Sequence, residues 1–332
     1  MSSIKVAFSD FIFNAHATDK FGSFDPDDNL FTRLLARKYE VRTVPLAEAD
    51  VLFYSTFGNQ HRAFHGRKIF FTSENVLPDF AECDFAISFC HLPGEPRHFR
   101  LPQYIIYVDD PLRLVKSPRF DVAAALKSKL KFCNFVVSNP RCPERNRFFR
   151  KLHRRRHVDS GGRHFNNLGA PIADKLAFIR DYKFTLAFEN SASPGYTTEK
   201  LVEPMLAGSL PIYWGNPEVA RDFNPKSFIN VSDFPSFDAA IDHIMEVDAD
   251  DELYLSYLRE PWFNGNSAPE WFDPTIQLRA LQQFLTTTIP GGPRVYRDRK
   301  LRSHTYANGL HRALSVLSCR LDGMLWKAGW RF

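Results

Sequence analysis

Two parallel α/β domains in succession are what this sequence predicts, on three observations. Strand-like and helix-like stretches alternate through the first part of the chain with no hairpin signal between them. A second series opens at residues 131–138 (KFCNFVVS), a near-continuous apolar run of the kind that buried parallel strands show. The length, 332 residues, is enough for two domains that each bury a core of their own.

In chain order, strands are expected at residues 4–8, 51–53, 68–72, 85–88 and 104–108, with a helix near residues 29–38. Asp109-Asp110-Pro111 closes the last of these strands. The domain boundary is placed near Ser128, giving domains at 1–128 and 129–290. In the second domain, the first strand is followed by a very basic helix at 144–157 and a Gly161-Gly162 loop.

Residues 182–217 (YKFTLAFENSASPGYTTEKLVEPMLAGSLPIYWGNP) form the most informative stretch. A strand with Phe184, Leu186 and Phe188 alternating with Thr185 and Ala187 delivers Glu189 and Asn190 to a loop. That loop turns at Pro194-Gly195 and opens a helix with Glu199 and Lys200 in its first turn. Gly208 stops the helix, and a second strand runs from Leu210 to Trp214. Such a βαβ crossover places ligands at the carboxyl ends of a parallel sheet. A Lys beside the free amides of a helix start suits phosphate, and a Glu there can accept from sugar hydroxyls. The residues alone leave two readings open: a nucleotide-sugar site, or a charged first turn that only complements the helix dipole. Pro204, inside the helix, removes one backbone hydrogen bond and is expected to kink it.

The wording of these segments carries a resemblance. YKF-x-L-x-FEN-S, GY-x-TEK, PIYWG-x-P and DFNPKSFINV-x-DF (residues 222–234) are similar to the donor-binding signature of the bacterial α1,3-fucosyltransferase family. Upstream, IFFTSENVLPDFAECD (69–84), FCNFVVSNPRCPERN (132–146) and VDSGGRHFNN (158–167) resemble further motifs of that family, in the same order. The family implies a GT-B architecture, two Rossmann-like domains with parallel sheets facing a cleft. It also implies inverting transfer of L-fucose from GDP-L-fucose, with an oligosaccharide or glycolipid of galactosyl-N-acetylglucosamine type as acceptor.

Carried over residue by residue, the resemblance makes Glu74 the general base, although Ser73 stands where the family commonly has Gly. Arg145 and Lys200 then hold the diphosphate, with Asn190, Tyr196 and Glu199 completing the donor site. Glu199 has two roles open to it, bonding the nucleotide ribose or facing the positive charge that develops on the sugar. Ser191–Pro194 departs from the family's glycine-bearing loop. Two other readings stay open: the same fold with another GDP-sugar, or a glycan-binding relative without catalysis.

The rest of the sequence is mainly exclusion. Five cysteines (Cys83, Cys90, Cys133, Cys142, Cys319) form no CxxC pair, against a disulfide framework or zinc site. Asp25/Asp27, Asp109-Asp110 and Asp248/Asp250 sit in turn-like contexts and are read as turn residues, not as a DxD metal site. No cofactor or metal is expected. The basic stretch at 145–157 lacks the aromatic pattern of a nucleic-acid binder and is read as a solvated helix face. No run of apolar residues reaches membrane-spanning length, so a cytoplasmic enzyme is expected.

The tail, residues 291–332, is basic. From Arg294 onward nine Lys/Arg stand against Asp298 and Asp322, a local +7 in a chain of formal charge +5. Leu310, Leu314, Leu317, Leu321 and Met324 recur at helical spacing, with Trp326 and Trp330 beyond. Two readings are open: a helix returning to the first domain, or a basic amphipathic helix lying on the anionic inner membrane.

Overall fold

The computed structural model describes residues 1–11, 24–107, 111–268 and 274–291. It divides into two compact units. The first comprises Met1–Pro102 together with the helix Pro274–Gly291, and the second occupies residues 103–268. The expected tail lies outside the described residues, as do Asp109 and Asp110.

The first unit holds strands β1 (Ser3–Ser9), β2 (Glu40–Thr43), β3 (Val51–Tyr54), β4 (Arg67–Phe71), β5 (Phe85–Ser88) and β6 (His98–Arg100). They form one sheet in the order β2-β1-β3-β4-β5-β6, every pairing parallel. Val51, Leu52, Phe53, Ile69, Ala86 and Ile87 are buried, so the central strands are apolar on both faces, as a covered parallel sheet requires. Helix α1 (Leu30–Leu35) follows Asn29, whose side chain accepts from the amides of Phe31 and Thr32 and makes a capping box with Thr32.

The second unit begins earlier than expected. Residues 103–107 form a helix, α2 (Gln103–Tyr107), rather than a strand. The run QYII is apolar enough for either, and Pro102 just before it is compatible with a helix start. Tyr104 is buried, its amide donates to the Thr197 carbonyl (3.2 Å), and its ring packs on Phe223. The unit division therefore falls before Gln103 rather than at Ser128. After α3 (Val122–Lys127), the sheet is built from β7 (Lys131–Phe135), β8 (Val158–Ser160), β9 (Tyr182–Phe188), β10 (Leu210–Trp214) and β11 (Ile229–Asn230). Its order is β11-β10-β9-β7-β8, again with every pairing parallel.

Helices α4 (Pro143–Arg155), α5 (Lys175–Arg180), α6 (Glu199–Leu206), α7 (Phe237–Ala249) and α8 (Asp251–Arg259) complete this unit. The basic helix expected at 144–157 is α4. Phe148, Phe149 and Leu152 are its buried stripe, while Lys151 pairs with Asp238 of α7 and the flanking Arg156 with Asp248. Lys151 and Arg156 thus have carboxylate partners within the unit.

The last described helix, α9 (Pro274–Gly291), was assigned by sequence to the second domain but belongs to the first unit. Leu281 and Leu285 are fully buried, and Phe284 packs its ring against Phe85 and Phe99. Gln277 donates to the Arg100 carbonyl (2.9 Å), Gln282 to that of Leu34 (3.3 Å), and Arg67 to that of Thr288. Among the described residues no helix is long and apolar enough to cross a membrane.

Candidate functional site

The chemistry-bearing groups of the second unit gather at the carboxyl ends of β7, β9 and β10, where parallel sheets place ligands. β7 leads into α4, and Arg145 stands in its first turn behind Pro143. Arg145 is 0% exposed. One guanidinium nitrogen donates to Asn190 Oδ1 at 2.8 Å, and another to the carbonyl of Asn139, in the loop before α4. This fork fixes the planar cation on its helix.

β9 ends at Phe188 and hands on Glu189 and Asn190. The loop behind them turns at Pro194-Gly195, as expected. Gly195 has φ +81° and the amide of Tyr196 donates to Ser193 O (3.1 Å), a type II turn that needs glycine at its third position. Asn216, after β10, fastens this loop. Its Oδ1 accepts from the Gly195 amide (2.8 Å), its Nδ2 donates to Thr197 Oγ1 (3.0 Å), and its own amide donates to the Tyr213 hydroxyl. Tyr196 is buried within the loop so held.

Thr198 is the N-cap of α6, its hydroxyl accepting from the Lys200 amide. Lys200 Nζ lies 3.0 Å from Thr198 Oγ1, 3.1 Å from Glu199 Oε1 and 3.4 Å from Glu189 Oε2. Burial pushes the Lys200 ammonium down, but Glu189 and Glu199 more than offset this and hold it above the usual lysine range; Arg145 is near enough to oppose them. Burial also pushes the Glu199 carboxyl up, yet Lys200 and Lys175 outweigh it and the net displacement is downward. Glu199 and Lys200 are therefore an ionised pair. Pro204 is the sixth residue of α6, which runs on only to Leu206 and stops at Gly208 (φ +66°); the turn carrying Glu199 and Lys200 precedes the proline.

Glu189, Thr198 and Asn216 were not among the expected site residues. Glu189 accepts from the Thr198 amide and hydroxyl, both at 2.8 Å, and is 0% exposed. Gly215 admits it: a Cβ at that glycine would stand 2.5 Å from Glu189 Cγ. The Thr-Glu pair at a helix start was a legible capping signal. The burial of Glu189, which depends on a glycine from another strand end, was not.

Glu74 belongs to the first unit, just past the carboxyl end of β4, and its side chain is exposed. Buried Thr72 shapes its turn, the Thr72 hydroxyl accepting from the Glu74 amide at 2.9 Å. The acidic pairs have structural partners. Asp25 accepts from the Asp27 amide (2.9 Å), Asp248 pairs with Arg156 and Lys183, and Asp250 caps α8 through the amides of Glu252 and Leu253.

Comparison with known proteins bears on this geometry. The family described as glycosyltransferase family 10 (fucosyltransferase), C-terminal part, matches residues 126–270, and the α-(1,3)-fucosyltransferase FucT N-terminal domain matches residues 15–107. The chain is 31% identical over 299 residues to α-(1,3)-fucosyltransferase FucT of Helicobacter pylori, covering 80% of this chain and 62% of that protein. It therefore spans less than two thirds of that relative. A crystal structure of an α1,3-fucosyltransferase superposes with TM-score 0.72 at 28% identity, over 89% of this chain and 92% of the other. One described as holding GDP-fucose gives TM-score 0.69 at 28% identity, over 90% and 93% of the two chains.

Proposed function

Because the chain belongs to glycosyltransferase family 10, the fucosyltransferases, we propose that it transfers L-fucose from GDP-L-fucose, with inversion, to the 3-hydroxyl of N-acetylglucosamine in a galactosyl-N-acetylglucosamine acceptor. The observation that carries this reading is the cluster of Arg145, Glu199 and Lys200 on two helix starts, with Asn190 of the loop after β9, at the carboxyl end of one sheet. Two fixed cations beside helix-start amides suit a diphosphate, and an ionised carboxylate among them suits a ribose or a sugar cation.

Glu74 is the proposed general base. It takes the proton of the acceptor hydroxyl as that oxygen bonds to the anomeric carbon and the bond from that carbon to the phosphate oxygen breaks. The electron pair of the broken bond leaves with GDP, whose added negative charge Arg145 and Lys200 stabilise. Asn190 keeps the Arg145 fork in place. Glu199 bonds the nucleotide ribose or faces the oxocarbenium-like carbon.

The test is transfer and hydrolysis assayed over a panel of GDP-sugars and N-acetyllactosamine-type acceptors, with and without EDTA. Transfer of fucose to the N-acetylglucosamine 3-position, surviving EDTA, is expected. Preference for another GDP-sugar would reassign the donor. Loss in EDTA that Mn²⁺ reverses would replace the side-chain clamp with a metal.

A further inference from the structure

Glu189, unlike the partly exposed Glu199 and Lys200 beside it, is closed to any ligand. It is wholly buried, with the backbone of Gly215 packed against its stem. Its two oxygens are fully engaged, one by the Thr198 amide and the other by the Thr198 hydroxyl and the Lys200 ammonium. The titratable and charged groups around it come from three elements: Lys200 and Glu199 on α6, the Tyr213 phenol on β10, and Arg145 on α4, which acts on Lys200. The ammonium of Lys200 is thus shared between two carboxylates, Glu189 and Glu199.

A donor diphosphate competes for that same ammonium. When Lys200 turns to phosphate oxygens, Glu189 is left as a buried carboxylate without the cation it pairs with, a costly arrangement that protonation relieves. Glu199 does not face this choice, because its side chain is 22% exposed and Lys175 also supports it. The protonated form of Glu189 fits its surroundings. The Thr198 amide still donates to one oxygen, and the Thr198 hydroxyl can reverse from donor to acceptor toward the new O–H.

We propose that Glu189 is a positioning residue of the donor site: it holds Lys200 and the cap of α6 when the site is empty, and takes up a proton from solvent when the donor draws Lys200 away. This rests on the donor-site reading given above. Burial already pushes the Glu189 carboxyl upward, with Lys200 the main opposing influence, in keeping with that exchange.

The test is calorimetric titration of the full chain with GDP-fucose near neutral pH, in buffers of differing ionisation heat. The phosphates of GDP-fucose are diesters and carry no titrating proton there. Wild type is expected to take up as much as about one proton per donor bound, so that affinity weakens as pH rises by up to about tenfold per unit. Glu189→Gln, which keeps both bonds to Thr198, is expected to bind without that uptake and with a flattened pH profile. Uptake that persists in the variant overturns the proposal. So does wild-type binding with no net uptake and no such pH dependence, which stands as a test even if the variant fails to fold. Wild type that does not bind GDP-fucose at all overturns the site reading itself, and this proposal with it.

Discussion

Arg145 and Asn190, which come from different βα units of the second sheet, meet in a side-chain hydrogen bond of 2.8 Å, with the arginine fully buried. The bond ties the start of α4 to the carboxyl end of β9. Arg145→Lys keeps the charge but loses the fork that reaches both Asn190 and the Asn139 carbonyl. A loss of about 1.5–3 kcal/mol in kcat/KM is expected, divided between lowered kcat and raised KM for GDP-fucose. Asn190→Ala should give a smaller loss in the same direction. Steady-state kinetics at varied donor check both, and an unchanged kcat/KM for GDP-fucose in Arg145→Lys would remove Arg145 from the diphosphate clamp.

Glu74→Gln is expected to lower turnover by about 10²–10⁴-fold while GDP-fucose still binds. Glu74 belongs to the first unit, whereas the cations assigned to the diphosphate belong to the second. Thr72, which shapes the turn, is untouched by the change. Donor titration beside an acceptor assay separates binding from chemistry, and near-normal turnover would reassign the base.

Gly215→Ala places a methyl group 2.5 Å from Glu189 Cγ. Overpacking of this kind costs about 1–3 kcal/mol, and here the displaced side chain is the one that holds Lys200. A lowered melting temperature together with weakened donor binding is expected. A variant with both unchanged would show that Glu189 has room to move.

His98 gives a pH signature in the first unit. Burial, then the nearby Arg100, pushes its imidazole down to about 4 from an ordinary 6.5, and it shares a 2.9 Å hydrogen bond with Ser88. The folded unit holds this ring neutral while the unfolded chain protonates it. As pH falls from about 6.5 toward about 4, protons therefore favour unfolding and stability declines. His98→Asn should make denaturant midpoints less dependent on pH across that window. An unchanged slope would mean that His98 is solvated.

The tail's +7 and its helical spacing of Leu motivate a lipid test. Each basic residue near an anionic surface contributes about 1 kcal/mol, so binding to anionic vesicles at low salt and release as salt rises are expected. The cut belongs after Gly291, because Tyr39 and Arg67 use the carbonyls of Thr286 and Thr288 within α9. Vesicle binding that survives this truncation would place the lipid contact elsewhere.

What the sequence made legible was what neighbours along the chain decide. The Pro194-Gly195 turn, the stop at Gly208 and the strands on either side of α6 all stand where local chemistry puts them. Strands β6, β8 and β11, two or three residues each, are too short to carry a periodic signal, and they exist because an adjacent strand pairs with them. Residues 103–107 show the other limit: an apolar run reads alike as strand or helix until its packing is known. At the site, the cations were legible and their buried counter-charge was not, because the pocket for Glu189 is made by the absence of a side chain at Gly215.

The docking of α9 makes the first unit discontinuous along the chain, with the second inserted into it. Gln282 finds its partner Leu34 across 248 positions, and the rings of Phe85 and Phe99 await Phe284. During synthesis the second unit can close as soon as residues 103–268 have emerged, whereas the first, although begun earlier, must wait for its last helix. Until then the rings of Phe85 and Phe99 lack the cover of Phe284, and transiently exposed apolar surface of this kind is prone to aggregation.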